Sequence, residues 1–101
     1  MDSLYEVKGD TLTIFTPKEI DHYVASEIIE YSEVLMAKNN IKNMIIDFEE
    51  TEFMDSSGIG IVIGRYKIIT KLGGKLSLRK MKRNIERMFE ISGVKKLLEG
   101  R

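Results

Sequence analysis

The chain has 101 residues, with 16 basic and 16 acidic side chains, no cysteine and one histidine. This length predicts a single domain over residues 1–101, and the composition excludes disulfides and both thiolate and histidine-rich metal sites. No apolar run reaches the about 20 residues that span a bilayer, and Met1-Asp2-Ser3 does not begin a signal peptide. We therefore expect a cytoplasmic protein that binds no metal or cofactor and does not enter a membrane.

Charge is unevenly distributed along the chain. Residues 1–64 hold 13 acidic and 4 basic side chains, whereas residues 65–101 hold 12 basic and 3 acidic ones. The basic cluster at residues 79–83 raises the alternative of a nucleic-acid partner. No aromatic side chains interleave with it for base stacking, so we favour a solvated strand end and helix start, with no direct nucleic-acid contact.

The first half of the chain predicts a hairpin, a helix and a strand. Short apolar segments at residues 4–7 and 12–15 flank a Gly9-Asp10 turn, which is typical of a β-hairpin. Asp21 is placed to cap a helix of about 16 residues, because apolar residues recur behind it at helical spacing. The consecutive apolar residues at 44–46 then predict a strand that is covered on both faces.

Residues 59–72 are ambiguous by propensity, because β-branched residues favour a strand. Their length favours a helix, and Gly73-Gly74 supplies a C-terminal stop. We predict a helix whose glycines at 60 and 64 let it lie close to the sheet. Its inward face is expected to be Ile59, Val62, Ile63 and Tyr66.

The remaining segments predict a strand at 75–79, a helix at 82–92 that ends at Gly93, and a short closing segment of uncertain type. The resulting order is ββαβαβα, in which a helix between successive strands implies parallel pairing. We therefore predict an α/β fold with a mixed, mostly parallel sheet of four to five strands, an N-terminal hairpin and three or more helices.

The stretch from Phe53 to Gly60, with the sequence Phe-Met-Asp-Ser-Ser-Gly-Ile-Gly, joins a strand to a helix. A hydroxyl at such a junction can be a cap, a nucleophile or a phosphorylation site. The glycines do not have the dinucleotide spacing. The Ser lacks the flanking glycines of a nucleophile elbow, and His22 is the only histidine that could activate it.

The same residues resemble the anti-anti-sigma factors of the STAS domain superfamily, in particular those of sporulation. The resemblance extends over nearly the whole chain and is densest from residue 53 to residue 93. It includes Asp55-Ser56-Ser57-Gly58, the Gly-Arg-Tyr-Lys that begins at residue 64, and the Ser-Gly stop at residue 92.

The resemblance implies a STAS fold and a partner-switching regulator that is not an enzyme. Its unphosphorylated form would bind an anti-sigma factor, which is also a serine kinase, and so release the sigma factor. The kinase would then phosphorylate Ser57, and a serine phosphatase would reset the protein. The resemblance places Asp21, Asp55, Ser56, Gly58 and Ile59 in the surface that binds the partner.

Two alternatives remain at this stage. The chain could be a STAS module of another assembly, such as a stress-signalling scaffold or a lipid-transport accessory subunit. It could also be a small hydrolase that uses Ser57 and His22. The paired carboxylates Asp21 and Asp55 could serve acid–base chemistry, but both are better explained as helix caps.

Overall fold

The computed structural model describes residues 4–98; the N-terminal segment Met1-Asp2-Ser3 lies outside them. Within these residues, no helix has both the length and the apolar character needed to cross a bilayer. The elements in chain order are β1 (Tyr5–Lys8), β2 (Thr11–Phe15), β3 (Glu19–Ile20), α1 (His22–Asn39), β4 (Asn43–Asp47), β5 (Phe53–Met54), α2 (Ser56–Lys71), β6 (Leu76–Arg79), α3 (Arg83–Ser92) and α4 (Val94–Leu98).

The main sheet has four strands in the order β1-β2-β4-β6. The hairpin strands β1 and β2 pair antiparallel, and the β2–β4 and β4–β6 pairs are parallel, which confirms the predicted mixed sheet. Because β2, β4 and β6 run in the same direction, their carboxyl ends share one edge of the sheet. The chain continues from this edge into α1, α2 and α3.

The core fills the space between the sheet and the helices. The central strands β2 and β4 contribute fully buried apolar side chains, and each of the three longer helices contributes at least one more. Among the largest of these buried side chains are Leu12, Ile14, Ile28, Met44, Ile46, Phe48, Ile61, Ile69, Ile85 and Phe89.

A second, two-stranded sheet was not predicted. Strands β3 and β5 pair in parallel with Glu19 opposite Phe53 and Ile20 opposite Met54. Two residues are too few to display strand periodicity, so residues 19–20 carry no strand signal in the sequence. This small ladder sets the positions at which α1 and α2 begin.

The ambiguous segment forms a helix, α2, as predicted, but the buried face of this helix differs from the predicted one. Ile61, Val62, Arg65 and Ile69 are buried, whereas Ile59, Ile63 and Tyr66 are only half-buried. The glycines at 60 and 64 do not bring the helix close to the sheet, because a Cβ on either residue would meet no atom within 4 Å. That expectation was therefore wrong.

The close approach occurs instead at Gly74, which precedes β6. A Cβ on this residue would overlap the carbonyl group of Lys42. The N–H of Gly74 donates to the carbonyl of Ile69 over 3.0 Å. The chain therefore requires glycine at 74 in order to turn from α2 into the last strand.

The basic cluster at residues 79–83 lies at the carboxyl edge of the sheet beside an acidic loop. Arg79 Nε lies 3.1 Å from the carboxylate of Asp47, which is buried, and Lys80 Nζ lies 3.6 Å from Glu49. Lys82 Nζ also hydrogen-bonds the carbonyl of Glu49. Much of this basic charge is therefore paired within the chain.

Candidate functional site

Two aspartates cap the helices that begin at the carboxyl edge. The Asp21 carboxylate accepts the N–H of Val24 at 2.9 Å, and the Asp55 carboxylate accepts the N–H of Ser57 at 2.8 Å. Both carboxylates satisfy N–H groups that have no partner within their own helix. The prediction that these aspartates cap α1 and α2 is confirmed.

The β3–β5 ladder brings the two caps together. Ile20 pairs with Met54, and each is followed directly by a capping aspartate. The N–H of Asp55 donates to the carbonyl of Ile20 over 3.1 Å. The N-termini of α1 and α2 therefore lie side by side, and the positive ends of the two helix dipoles point to the same region.

Two buried threonines hold the loops on which this ladder is built. The hydroxyls of Thr16 and Thr51 lie 2.6 Å apart, and the Thr51 hydroxyl donates to the carbonyl of Pro17 over 2.7 Å. Neither threonine could be identified from the sequence, because Thr51 stands among glutamates in a segment whose composition is typical of a solvated loop. Its burial follows from the packing of two loops, which leaves no sequence pattern.

Ser57 lies in the first turn of α2 and remains partly exposed. Its hydroxyl donates to the same Asp55 carboxylate that accepts its N–H. These two hydrogen bonds, the side-chain one first, hold the pKa of Asp55 below its usual range, and the nearby charge of His22 adds to the effect. An ionised carboxylate therefore faces the Ser57 hydroxyl at neutral pH.

This arrangement does not activate Ser57 as a nucleophile. Among the described residues, its hydroxyl hydrogen-bonds Asp55, and no hydrogen bond joins it to the ring of His22. An aspartate whose pKa is lowered is a weak base, since a general base works best with a pKa near the operating pH. In residues 4–98, no three acidic or histidine side chains are grouped so as to hold a metal ion.

The other predicted contact residues differ in their exposure. Ser56 is exposed at the first position of α2, and Ile59 is half-buried and packs against the core. Gly58 is buried, and a Cβ on it would overlap the side chain of Met54. The absence of a side chain at Gly58 therefore leaves room for Met54 beneath the first turn of α2.

Comparison with protein families gives one description for the whole chain. The model of the STAS domain matches residues 3–100. The anti-sigma-B factor antagonist of Listeria monocytogenes is 34% identical over 90 residues, which are 89% of this chain and 78% of the relative. The anti-sigma F factor antagonist of Paenibacillus polymyxa is 26% identical over 80 residues, which are 79% and 68% of the two chains.

Two solved structures of similar fold are both structures of SpoIIAA. The anti-sigma factor antagonist SpoIIAA in its unphosphorylated form superposes with a TM-score of 0.80 at 27% identity, over 89% of this chain and 79% of that one. The phosphorylated form of SpoIIAA, described as a Bacillus cell fate determinant, gives a TM-score of 0.74 at 26% identity, over 91% and 84%. The chain belongs to the STAS domain family.

Proposed function

We propose that this chain is an anti-sigma factor antagonist that phosphorylation of Ser57 switches off. The observation that carries the proposal is a partly exposed serine hydroxyl at the start of α2, beside two paired helix caps and without a base that would make it a nucleophile. The curated relatives named above, each called an antagonist of an anti-sigma factor, support the same function.

In the proposed cycle, the unphosphorylated chain binds an anti-sigma factor and displaces its sigma factor in the cytoplasm. The anti-sigma factor is also a serine kinase, and it transfers the γ-phosphoryl group of ATP to the oxygen of Ser57. The bond from the γ-phosphorus to the bridging oxygen breaks, ADP leaves, and the proton of the hydroxyl is released. A serine phosphatase that hydrolyses the phosphoester restores the active form. The chain itself catalyses no step and serves only as a substrate.

The site accounts for the two effects that a phosphate would have. The phosphate adds about −1.5 to −2 charges at neutral pH close to the Asp55 carboxylate. The ester oxygen has lost its proton and cannot donate to Asp55, so the hydrogen bond that ties the two side chains is removed. A partner that fits the unphosphorylated surface meets a desolvated dianion, and about 3 kcal/mol is enough to weaken binding about a hundredfold.

The proposed contact surface consists of the exposed parts of Asp21, Asp55, Ser56 and Ile59 around the Ser57 hydroxyl. Gly58 contributes to this surface indirectly, because it allows Met54 to pack beneath the first turn of α2. The alternative of a STAS module in another assembly, such as a stress-signalling scaffold, predicts the same fold but no phosphorylation-dependent contact with an anti-sigma factor.

Phosphate mapping on two neighbouring serines tests the proposal. The chain is incubated with its anti-sigma factor and ATP, and the modified residue is located by mass spectrometry. We expect one phosphate on Ser57 in the wild type and in Ser56→Ala, and none in Ser57→Ala. A phosphate on Ser56, or none in the wild type, would overturn the proposed switch.

A further inference from the structure

Two large aromatic side chains are exposed beside the candidate site. Tyr23 is 81% exposed and Phe53 is 59% exposed. Among residues 4–98, the other large apolar side chains of which half or more is exposed are Ile91 on α3, at 79%, and Leu72 at the end of α2, at 50%. Exposed apolar groups that cluster in one region commonly mark protein interaction sites.

Both aromatic residues are placed by the β3–β5 ladder. Phe53 is the first residue of β5, two positions before Asp55, and Tyr23 lies in the first turn of α1, two positions after Asp21. The Tyr23 ring stands edge-on to that of His22, with ring centroids 6.3 Å apart. Each aromatic residue therefore accompanies one of the two capping aspartates at the same edge of the sheet.

The packing of the chain does not explain why these residues are apolar. Side chains alternate along β5, so Met54 is directed toward the core while Phe53 stands in solvent. Tyr23 occupies the outer face of α1, whose buried residues begin with Ala25 and Ile28. Neither ring belongs to the buried core.

The charge of the two chain segments that carry the aromatics indicates what kind of surface would bind them. Segments 18–24 and 52–58 together hold four carboxylates and one lysine, Lys18. A complementary surface therefore carries apolar pockets for the rings and lysine or arginine side chains at its rim. This chemistry describes a protein partner and gives no binding site for a small molecule.

We propose that Tyr23 and Phe53 are the apolar anchors by which the anti-sigma factor holds this chain, each filling an apolar pocket within a basic rim of that partner. The inference rests on the proposed function and adds to it the residues that supply affinity. Phosphoryl transfer takes place at the Ser57 hydroxyl and not at either ring, so both rings contribute the same binding free energy before and during the transfer. Their loss therefore raises the KM for this chain as a kinase substrate and leaves kcat unchanged.

The test compares Tyr23→Ala and Phe53→Ala with Ile91→Ala, which removes an equally exposed apolar side chain from α3. Dissociation constants for the anti-sigma factor are measured by calorimetry without ATP, and the kinetics of Ser57 phosphorylation are measured separately. Circular dichroism confirms that each variant is folded. We expect each aromatic variant to bind about tenfold more weakly, with KM raised and kcat within about twofold of wild type, and Ile91→Ala to behave as wild type.

The outcomes separate this inference from the proposed function. The wild type could bind the anti-sigma factor and be phosphorylated on Ser57 while both aromatic variants have the same dissociation constant and KM as the wild type. In that case the two rings are not anchors, and the proposed phosphorylation switch is unaffected. If kcat falls while KM is unchanged, the rings act on phosphoryl transfer and the inference is wrong. If the wild type neither binds the anti-sigma factor nor accepts a phosphate, the proposed function fails and the inference fails with it.

Discussion

The guanidinium group of Arg65 on α2 donates a 2.7 Å hydrogen bond to the buried hydroxyl of Ser32 on α1. It also donates to the carbonyl of Ile29 at 3.0 Å and to the carboxylate of Glu33 at 2.9 Å. Arg65 is only 3% exposed. The two helices that present the candidate site are therefore joined midway along α1, while the β3–β5 ladder joins their N-termini.

We expect Arg65→Ala to reduce the free energy of unfolding by about 2–4 kcal/mol, which is the usual cost of truncating a large buried side chain and leaving a cavity. Arg65→Met fills a similar volume without a buried charge, so it is expected to recover most of this loss. The Nε of Arg65 is buried without a partner among the described residues, which makes replacement by an apolar side chain less costly. Urea denaturation of the wild type, Arg65→Ala and Arg65→Met measures the differences in the free energy of unfolding.

Arg87→Ala is the matched control for this comparison, because it removes an arginine that is exposed on α3. Its effect is expected to stay within about 0.5 kcal/mol, as for most surface substitutions. If Arg65→Ala were no more destabilising than Arg87→Ala, the contact between α1 and α2 would contribute little to the fold.

Substitution of two glycines by alanine is expected to have opposite effects on stability. Gly74→Ala would bring a Cβ against the carbonyl group of Lys42, which cannot move without disturbing the approach to β4, so we expect a marked fall in the thermal midpoint. Gly64→Ala lies inside α2 with no atom within 4 Å of the new Cβ. It is expected to raise stability by about 0.5–1 kcal/mol, because alanine loses less backbone entropy in a helix.

Scanning calorimetry of both glycine variants measures the two shifts. A stabilised or neutral Gly74→Ala would contradict the close approach of the backbone at this turn. A destabilised Gly64→Ala would contradict the open space beside the middle of α2.

The pKa of Asp55 is expected to depend on the hydroxyl of Ser57. The hydrogen bond from this hydroxyl is the largest cause of the lowered value, so Ser57→Ala should move the pKa back up toward the ordinary value of about 3.9. Because the folded-state pKa is lowered, Asp55 stabilises the fold fully above the ordinary value. This contribution is lost as the pH falls through the lower, folded-state pKa.

A carbon-detected NMR titration of the Asp55 carboxyl group measures the shift directly, with Ser56→Ala as the control. The Ser56 hydroxyl does not bond Asp55, so its removal should leave the titration unchanged. Equal pKa values in Ser57→Ala and the wild type would show that the hydroxyl is not held by the carboxylate in solution.

Much of the fold could be predicted because it rests on local signals. The aspartates at 21 and 55 could be identified as caps from their position before apolar helical segments, and the hairpin from its Gly9-Asp10 turn. These signals depend on neighbouring residues, which a sequence displays directly. They also located Ser57 at a helix start, which is the basis of the candidate site.

The remaining features depend on residues that are far apart in the chain. A charged residue such as Arg65 is rarely buried unless it is paired, and its partners on α1 lie more than thirty residues earlier. The predicted inward face of α2 therefore included Val62 but missed Arg65. The pairing of Ile20 with Met54 went unpredicted for the same reason, since two residues carry no periodic pattern.

The affinity of the chain for its anti-sigma factor before and after phosphorylation tests the central claim most directly. Chain with one phosphate on Ser57 is prepared with the kinase and ATP, separated from nucleotide, and titrated against the anti-sigma factor beside unmodified chain. The account predicts binding weakened about a hundredfold by the phosphate, with Ser57→Ala retaining full affinity after the same treatment. Equal affinities of the phosphorylated and unmodified chains would contradict it.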